Sequence, residues 1–466
     1  MNTLLATLVY CAGIAVIFYL DRDEKVRTSK ALWIPVIWLL INGSRPVSLW
    51  FQGGPTEGTE FTDGSPVDAA VYGAVILAGL IALSRRMSRV WSFLKSNRAL
   101  VIFFSYCLVS TMWSDEPFVS FKRWIKAAGD VIMIVIVLTD ADQRDAIKRF
   151  LCRAAYVLIP LSILFIKYYP DWGRSYNPWT WEPMYSGVTT FKNLLGMTTL
   201  VGALGTLWCF IRSWRELRGR RRWQHLVAEG IILCMSIWLF LTADSMTSFS
   251  CFMLAGMVML IASLKFVARR PWIIHVAVVA AISVALVALF FDTSGDMVKK
   301  LGRNSTLTGR TAIWQEVVEQ AKHSPILGTG YEGFWMGDRL AAVWRVEKGI
   351  QEAHNGYLEV YANLGWVGIG LLAWLIVSGY ITVLAIYSRD HTIGVIKLGF
   401  FVAALIYSFT EAGFRMMSPI WLGFLLAVMW VPPRQSRPSE APTPAKKKVR
   451  QEERYPTFAT TYQGGL

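Results

Sequence analysis

What this chain can fold into is constrained above all by apolar runs of about 20 residues that recur along nearly its whole length. A membrane helix needs that length to cross the hydrocarbon core, and somewhat less where flanking side chains snorkel. On this criterion roughly thirteen spans are expected, at residues 2–20, 31–42, 67–83, 99–113, 122–139, 149–166, 191–211, 226–243, 247–264, 272–291, 357–387, 394–410 and 418–431. Segments 31–42 and 122–139 meet it least well. The second carries Lys122, Arg123 and Lys126 in its first two turns, which leaves an interfacial start open. In lipid every backbone polar group must be satisfied internally. The expected fold class is therefore an all-α polytopic membrane protein with about 12–13 transmembrane helices and one long helical segment outside the membrane.

Composition agrees. Only 17% of the 466 residues are charged, against about 25% in an ordinary soluble domain. The 21 tryptophans and 17 tyrosines suit two membrane–water interfaces. The formal charge of +15 would fit nucleic acid, but the basic residues cluster in short loops between apolar spans, so nucleic acid is excluded as a partner and the bilayer takes its place. Cys11, Cys107, Cys152, Cys209, Cys234 and Cys251 lie in or at the edges of apolar spans with no C-x-x-C pair, so buried inert thiols are expected. Residues 2–20 lack a basic n-region and a small-residue cleavage site and are read as the first span.

Lys and Arg also set the orientation. One set of loops holds Arg22/Lys25/Arg27/Lys30, Arg85/Arg86/Arg89/Lys95/Arg98, Arg144/Lys148/Arg149, the Arg212–Arg222 cluster, Lys265/Arg269/Arg270 and Arg389/Lys397. The short loops of the other set are poor in Lys and Arg, so the first set is expected inside. The N-terminus and the segment 292–356 then lie outside. The domain organisation is a membrane part over 1–430, including that outer segment, and a basic tail over 431–466. The tail is rich in Pro, Ser and Lys without apolar periodicity and is expected to be a disordered cytoplasmic extension.

The outer segments carry the candidate chemistry. Lys192 opens an apolar helix at its positive-dipole end, where a cation is unfavourable unless it meets an anion; a phosphate contact and simple snorkelling both stay open. In the short turn Thr242–Ser248, capping by Asp244 or Ser245 explains most of the polarity. Thr308 is a plausible N-cap for an amphipathic helix over 309–323 with Ile313, Trp314, Val317, Val318 and Ala321 on one face. Arg310 would sit in its first turn, which suggests an anionic partner. His323 in the last turn reads as structural, and Pro325 stops the helix. The Gly328-Thr329-Gly330-Tyr331 stretch is a loop and no nucleotide fingerprint, because no βαβ unit surrounds it. A short helix is expected over 338–348. His354, Tyr357, Leu358 and Tyr361 fall at i, i+3, i+4 and i+7 at a membrane entrance, with Glu352 two residues before the histidine. A lone histidine is more often a satisfied polar residue than a catalyst, but its outer position, the nearby carboxylate and Arg310 raise its functional standing. Metal binding is not expected, since no second histidine stands at ligand spacing.

The ordered set Thr308-Gly309-Arg310, Trp314, Ser324-Pro325-Ile326-Leu327-Gly328-Thr329-Gly330, Ala353-His354-Asn355, Leu358, Leu364-Gly365 and Gly368 resembles the O-antigen ligase/polymerase superfamily, most narrowly its ExoQ-type exopolysaccharide polymerase branch. Phe191-Lys192-Asn193-x-x-Gly196 and the Ser245/Thr247 turn match in the same order, and the resemblance spans roughly residues 100–430. It implies a metal-independent and cofactor-free glycosyltransferase of the bacterial inner membrane, working on the periplasmic face. Its donor would be an undecaprenyl-diphosphate-linked oligosaccharide, and other polysaccharide-export or chain-length proteins are candidate partners. It further implies His354 as general base or acceptor-orienting residue and Arg310 as the diphosphate ligand with help from Lys192, while Asn193, Ser245, Glu352 and Asn355 support the site. One departure is Met246, where the family commonly carries a basic residue. Arg415 is the expected substitute, paired with Glu411, which resembles a family acid. A ligase moving finished glycan would use the same local chemistry. A transporter or flippase is disfavoured because the polar clusters sit at the outer edge of the spans.

Overall fold

The computed structural model describes residues 2–22, 28–52, 65–176, 182–293 and 306–432, and within these the side chains of 52, 289–293 and 306–309 are not described. The expected tail from residue 433 onward lies outside the described residues. Residues 1–431 form one compact unit.

Among the described residues seven helices are long and apolar enough to cross a membrane: Thr3–Leu20, Pro66–Ser84, Gln143–Tyr168, Lys192–Glu216, Gly219–Thr242, Met246–Ser263 and Gly356–Arg389. Five shorter apolar helices join them: Lys30–Asn42, Arg98–Trp113, Trp272–Ala288, His391–Tyr407 and Pro419–Val428. With Pro117–Leu138 these occupy every expected span. The chain is an all-α polytopic membrane protein. The helices His391–Tyr407 and Pro419–Val428 are buried along most of their length, whereas Thr3–Leu20 and Pro66–Ser84 turn residues such as Leu8, Val16, Leu77 and Ile81 outward. Exposed apolar stripes of this kind are what lipid contact requires.

Several expectations need correction. The Pro117–Leu138 helix starts earlier than residue 122 because Pro117 takes its first position. Arg123 does not face an interface: it is 3% exposed, and its Nη1 donates to the Glu332 carbonyl. The stretch before Lys192 is not all loop. Arg174–Tyr176 pairs antiparallel with Pro183–Tyr185. Cys11 and Cys234 are exposed rather than buried, and Cys152 and Cys209 bring their sulfurs to 2.9 Å of one another. The outer helix runs from Thr306 to Ala321, so Thr308 lies inside it rather than capping it, Arg310 sits a turn in, and His323 falls just past its end.

The Gly356–Arg389 helix is broken at Gly365, which takes φ 64 and ψ −163. The Pro325–Gly330 loop plugs the break. The amides of Trp366 and Val367 donate to the carbonyls of Pro325 and Ile326 at 2.9 and 3.1 Å. On the other side the Thr329 hydroxyl donates to the Ala362 carbonyl and Tyr106 Oη to that of Leu364, each at 3.1 Å. Backbone groups orphaned by the break are thus re-paired inside the bundle. A Cβ on Gly365 would lie 2.2 Å from the Ile326 oxygen, and positive φ independently favours glycine there. The glycine-rich loop is a structural splice, as its lack of a βαβ context suggested.

Charges at depth are few and partnered among the described residues. Lys397 is fully buried and donates to the carbonyls of Leu426, Ala427 and Met429 at 2.5, 3.2 and 2.8 Å, so its ammonium meets the negative dipole end of the Pro419–Val428 helix. Asp130 accepts from Trp38 Nε1 and from the Met417 amide, both at 2.8 Å.

Candidate functional site

The candidate residues converge where five elements meet. The Thr306–Ala321 helix is seated by Ile313, Val317 and Ala321, which pack with Phe334, Trp335, Val343, Ala353 and Ala362 in a small core separate from the main one. Val318, expected on the same face, points away and is 38% exposed. Trp314 Nε1 donates to the Ala353 carbonyl at 2.7 Å, fixing the residue before His354 against the helix that carries Arg310. Asn355 caps the next helix, its Oδ1 accepting from the amides of Tyr357 and Leu358 at 3.0 Å. Its Nδ2 donates to the Phe409 carbonyl at 3.3 Å.

Between these anchors His354 adopts φ 48. A non-glycine residue in that region carries strain of about 1–3 kcal/mol, which persists because its neighbours are pinned. The Glu359 carboxylate accepts from the Ala353 amide and from Trp335 Nε1. The Gly356 amide donates to the Ser408 carbonyl at 2.8 Å. His354 therefore stands just before the helix rather than on its face.

Glu411 is the hub. It is 4% exposed and lies in the turn between His391–Tyr407 and Pro419–Val428. Its Oε1 accepts from Arg310 Nη2 at 2.8 Å and from Asn193 Nδ2 at 3.2 Å. Its Oε2 lies 3.0 Å from His354 Nδ1. Arg310 Nη1 also donates to the Thr410 carbonyl at 2.5 Å. Glu352 Oε1 lies 2.9 Å from the same Nδ1. Among the described residues His354 Nε2 has no hydrogen-bond partner, so the ring is clamped at one nitrogen and open at the other.

The expected Arg415–Glu411 pair does not form. Arg415 Nε lies 3.3 Å from Glu332 Oε2 and its Nη1 lies 3.6 Å from Glu352 Oε2. The Gly413 amide closes back on the Glu411 carbonyl at 2.8 Å, and the intervening turn sends the two side chains to different partners. Arg310 takes the place at Glu411 instead. Lys192 does open its helix as expected; no side chain of the described residues pairs with it, and Asn193 beside it makes the contact to Glu411. Ser245 bonds the Ser248 hydroxyl at 2.9 Å and packs where a Cβ on Gly196 would stand. It supports the site's wall without touching the charged cluster. Met246 is 51% exposed.

The electrostatics follow from the pairing. Burial disfavours the charged form of His354, but hydrogen bonds to Glu352 and Glu411 outweigh it and push its pKa up to about 10. Burial likewise opposes the Glu352 carboxylate, and His354 with Arg415 and Arg310 overcomes it, bringing Glu352 down to about 2. Burial opposes charge on Arg415 too, yet Glu332, Glu359 and Glu352 hold it above the usual guanidinium range. At neutral pH the ring is therefore an imidazolium between carboxylates.

Glu352, His354 and Glu411 each offer one ligand atom within 4.8 Å of the others, a spacing that sequence order hid. Two guanidinium groups already neutralise these carboxylates, and a divalent ion would have to displace the ring's proton, so the donor set suits a cation less well than its spacing suggests.

Comparison with known proteins agrees with the geometry. A family model described as O-Antigen ligase matches residues 230–373, the stretch that carries Ser245, Arg310, Glu332, Glu352 and His354. The matched segment, less than half of the chain, is similar to that family. The chain is also 27% identical over 286 residues to the Exopolysaccharide production protein ExoQ of Rhizobium meliloti (strain 1021), over 59% of this chain and 62% of that one. These likenesses support the ExoQ-like side of the superfamily, while the chain spans somewhat less than two thirds of that relative. Lys192, Asn193, Glu411 and Arg415 lie outside the O-antigen ligase match and enter the site through the fold. Glu332 and Glu359 went unnoticed in the sequence. The available signal for Glu359 was an acid in the first turn of an apolar helix.

Proposed function

We propose that the protein is a membrane glycosyltransferase that polymerises undecaprenyl-diphosphate-linked repeat units of an exopolysaccharide. The observation that carries this reading is the His354–Glu411–Arg310 bridge, in which a titratable ring and a guanidinium share one buried carboxylate beside an open Nε2. Arg310, with Arg415 and Lys192, faces the diphosphate; His354, Glu352 and Glu411 face the acceptor hydroxyl. The acceptor oxygen bonds to the anomeric carbon, the bond from that carbon to the diphosphate oxygen breaks, and the electron pair leaves with the diphosphate. Guanidinium groups suit that charge in a poorly hydrated cleft, and a diphosphate leaving group needs neither a nucleotide nor a metal. Because His354 is held as imidazolium, Nε2–H orients the acceptor oxygen, and the hydroxyl proton passes to an oxygen of the departing diphosphate. A weak base suffices, since an oxocarbenium-like transition state makes the attacking hydroxyl acidic before its proton leaves.

The O-Antigen ligase description favours a second reading, transfer of finished glycan to another acceptor, and the ExoQ likeness favours polymerisation. The Arg310→Lys variant tests the shared chemistry. It should lower product by at least roughly tenfold, because a point charge cannot replace a bidentate contact. Accumulated single lipid-linked units would mark a polymerase, and accumulated lipid-linked polymer a ligase. Wild-type product would remove Arg310 from the site.

The site is assigned to the periplasmic face of the inner membrane. Supporting this is a second polar cluster at the opposite helix ends, Lys148–Asp21–His225 and Arg212–Asp145, built on loops that the Lys/Arg distribution places inside. Asp338 is exposed beside the site-bearing loop. An Asp338→Cys variant with the six native cysteines replaced should react with an impermeant thiol reagent in intact spheroplasts; labelling only after lysis would reverse the orientation.

A further inference from the structure

Arg45 follows the Trp33–Asn42 helix and is 3% exposed, yet no carboxylate among the described residues pairs with it. It is held instead by backbone. Nη2 donates to the carbonyls of Trp172, Gly187 and Thr189 at 2.5, 3.2 and 3.0 Å, and Nε to that of Val188 at 3.3 Å. Trp50 and Trp172, stacked at 5.7 Å, flank the guanidinium at 5.4 and 5.3 Å. Four carbonyls and two rings fix its position without neutralising it, and burial alone pulls its pKa down to about 10. A buried cation without a counter-charge is costly.

Arg45 also lines a small cleft. Among the described residues Nη1 donates to nothing, and the cleft is lined by Arg45, Trp172, Arg174, Ser175, Ser186 and Thr190. Among the described residues Arg174 donates through Nε alone, to the Ile166 carbonyl at 2.8 Å, and its guanidinium lies 5.8 Å from the Tyr185 ring. Two guanidinium forks and the hydroxyls of Ser186 and Thr190 lining one cleft are the donor set that a carboxylate or phosphate accepts, while the Ser175 hydroxyl donates to the Met184 carbonyl. Thr190 stands three residues before Asn193, so this cleft lies within about 11 Å of chain from a side chain that touches Glu411.

We propose that the Arg45–Arg174 cleft is an oxyanion-binding subsite, taking an acidic substituent carried on the transferred glycan or the phosphate of a lipid headgroup. The binding claim stands without the transferase reading; only the glycan as source rests on it. Trp172 beside the cations gives a sugar ring a face to lie against, which favours an acidic sugar over a bare phosphate.

The full-length protein in phosphatidylcholine nanodiscs is titrated with glucuronate, glucose and inorganic phosphate. Glucuronate or phosphate should bind and glucose should not, and His354→Ala should bind as wild type does. Arg174→Gln, which spares the carbonyl cradle, and Arg45→Lys, which keeps the charge, should each weaken binding roughly tenfold or more, as loss of charge-assisted hydrogen bonds requires. If glucuronate binding falls on moving to phosphatidylglycerol nanodiscs, the headgroup is an occupant; if it holds, the glycan is the source. Anion binding that both arginine variants leave intact, or that vanishes only with His354→Ala, overturns the proposal. Failure of the transferase reading would show separately, as normal glycan product in His354→Ala while anion binding persists.

Discussion

A His354→Ala variant present at normal membrane levels should make no polymer, and lipid-linked single repeat units should accumulate. The expected loss is about 10²–10⁴-fold in rate, the range for a positioned proton-handling group. Retention of long polymer would end the assignment. The pH profile then separates the two roles open to the ring. Its pKa in the folded protein is raised to about 10, so the charged form prevails at neutral pH, and the stability it contributes is complete below the ordinary histidine value of about 6.5. Both are lost as pH rises through about 10. An orienting imidazolium predicts a transfer rate that is level from neutral to about pH 9 and falls beyond it. A general base would act only in the small neutral fraction, and the rate would climb about tenfold per pH unit over the same window. A climbing profile would return the base role to His354 and take the proton away from the diphosphate. The level profile is expected because two carboxylates clamp Nδ1.

How much of this was legible beforehand depends on how far apart in sequence the interacting groups lie. Helix length, apolar runs and loop charge are local, and every expected span is a helix. His354, Arg310 and Asn193 were legible as an ordered set of motif residues, and the fold brings all three to one carboxylate. That carboxylate was named only as a supporting acid. Glu411 lies 57 residues from His354 and 101 from Arg310, and its role is set by how the His391–Tyr407 helix packs against its neighbours, which no local pattern records. The Arg415–Glu411 pairing failed for the same reason: adjacency in a turn suggested a contact that the turn's backbone prevents. Gly365 was quoted as a motif residue, but the break it allows depends on the Pro325–Gly330 loop packing against it from 40 residues away in the chain. Arg45 stands in a loop otherwise poor in Lys and Arg, and nothing local marks it. Its burial depends on the Trp172 and Gly187–Thr189 carbonyls, over 120 residues downstream.

The hub position makes Glu411→Gln the second severe substitution. The amide keeps the size of the side chain and one acceptor oxygen but removes the charge that Arg310 and His354 share. Removing one partner of a buried ion pair costs about 3–5 kcal/mol, against about 0–1 kcal/mol for an exposed pair. Arg310 is 20% exposed in its side chain and Glu411 5%, so a loss toward the lower end of the buried range is expected, read as a fall in the unfolding midpoint of the detergent-solubilised protein. Transfer should fail even at temperatures where the variant is folded, since both cations lose the group that aims them. The ring loses one of the two carboxylates that raise it, so any residual activity should fall off at lower pH than in the wild type. The Arg310→Gln/Glu411→Gln double variant distinguishes this from simple damage to the turn. With both charges gone, no guanidinium is left uncompensated, and the double variant should recover part of the stability, with a coupling of about 1–3 kcal/mol. It should recover none of the transfer activity, because the group assigned to the diphosphate is missing. Additive losses of stability would mean that Glu411 holds the turn alone, and that the pairing with Arg310 is incidental to it.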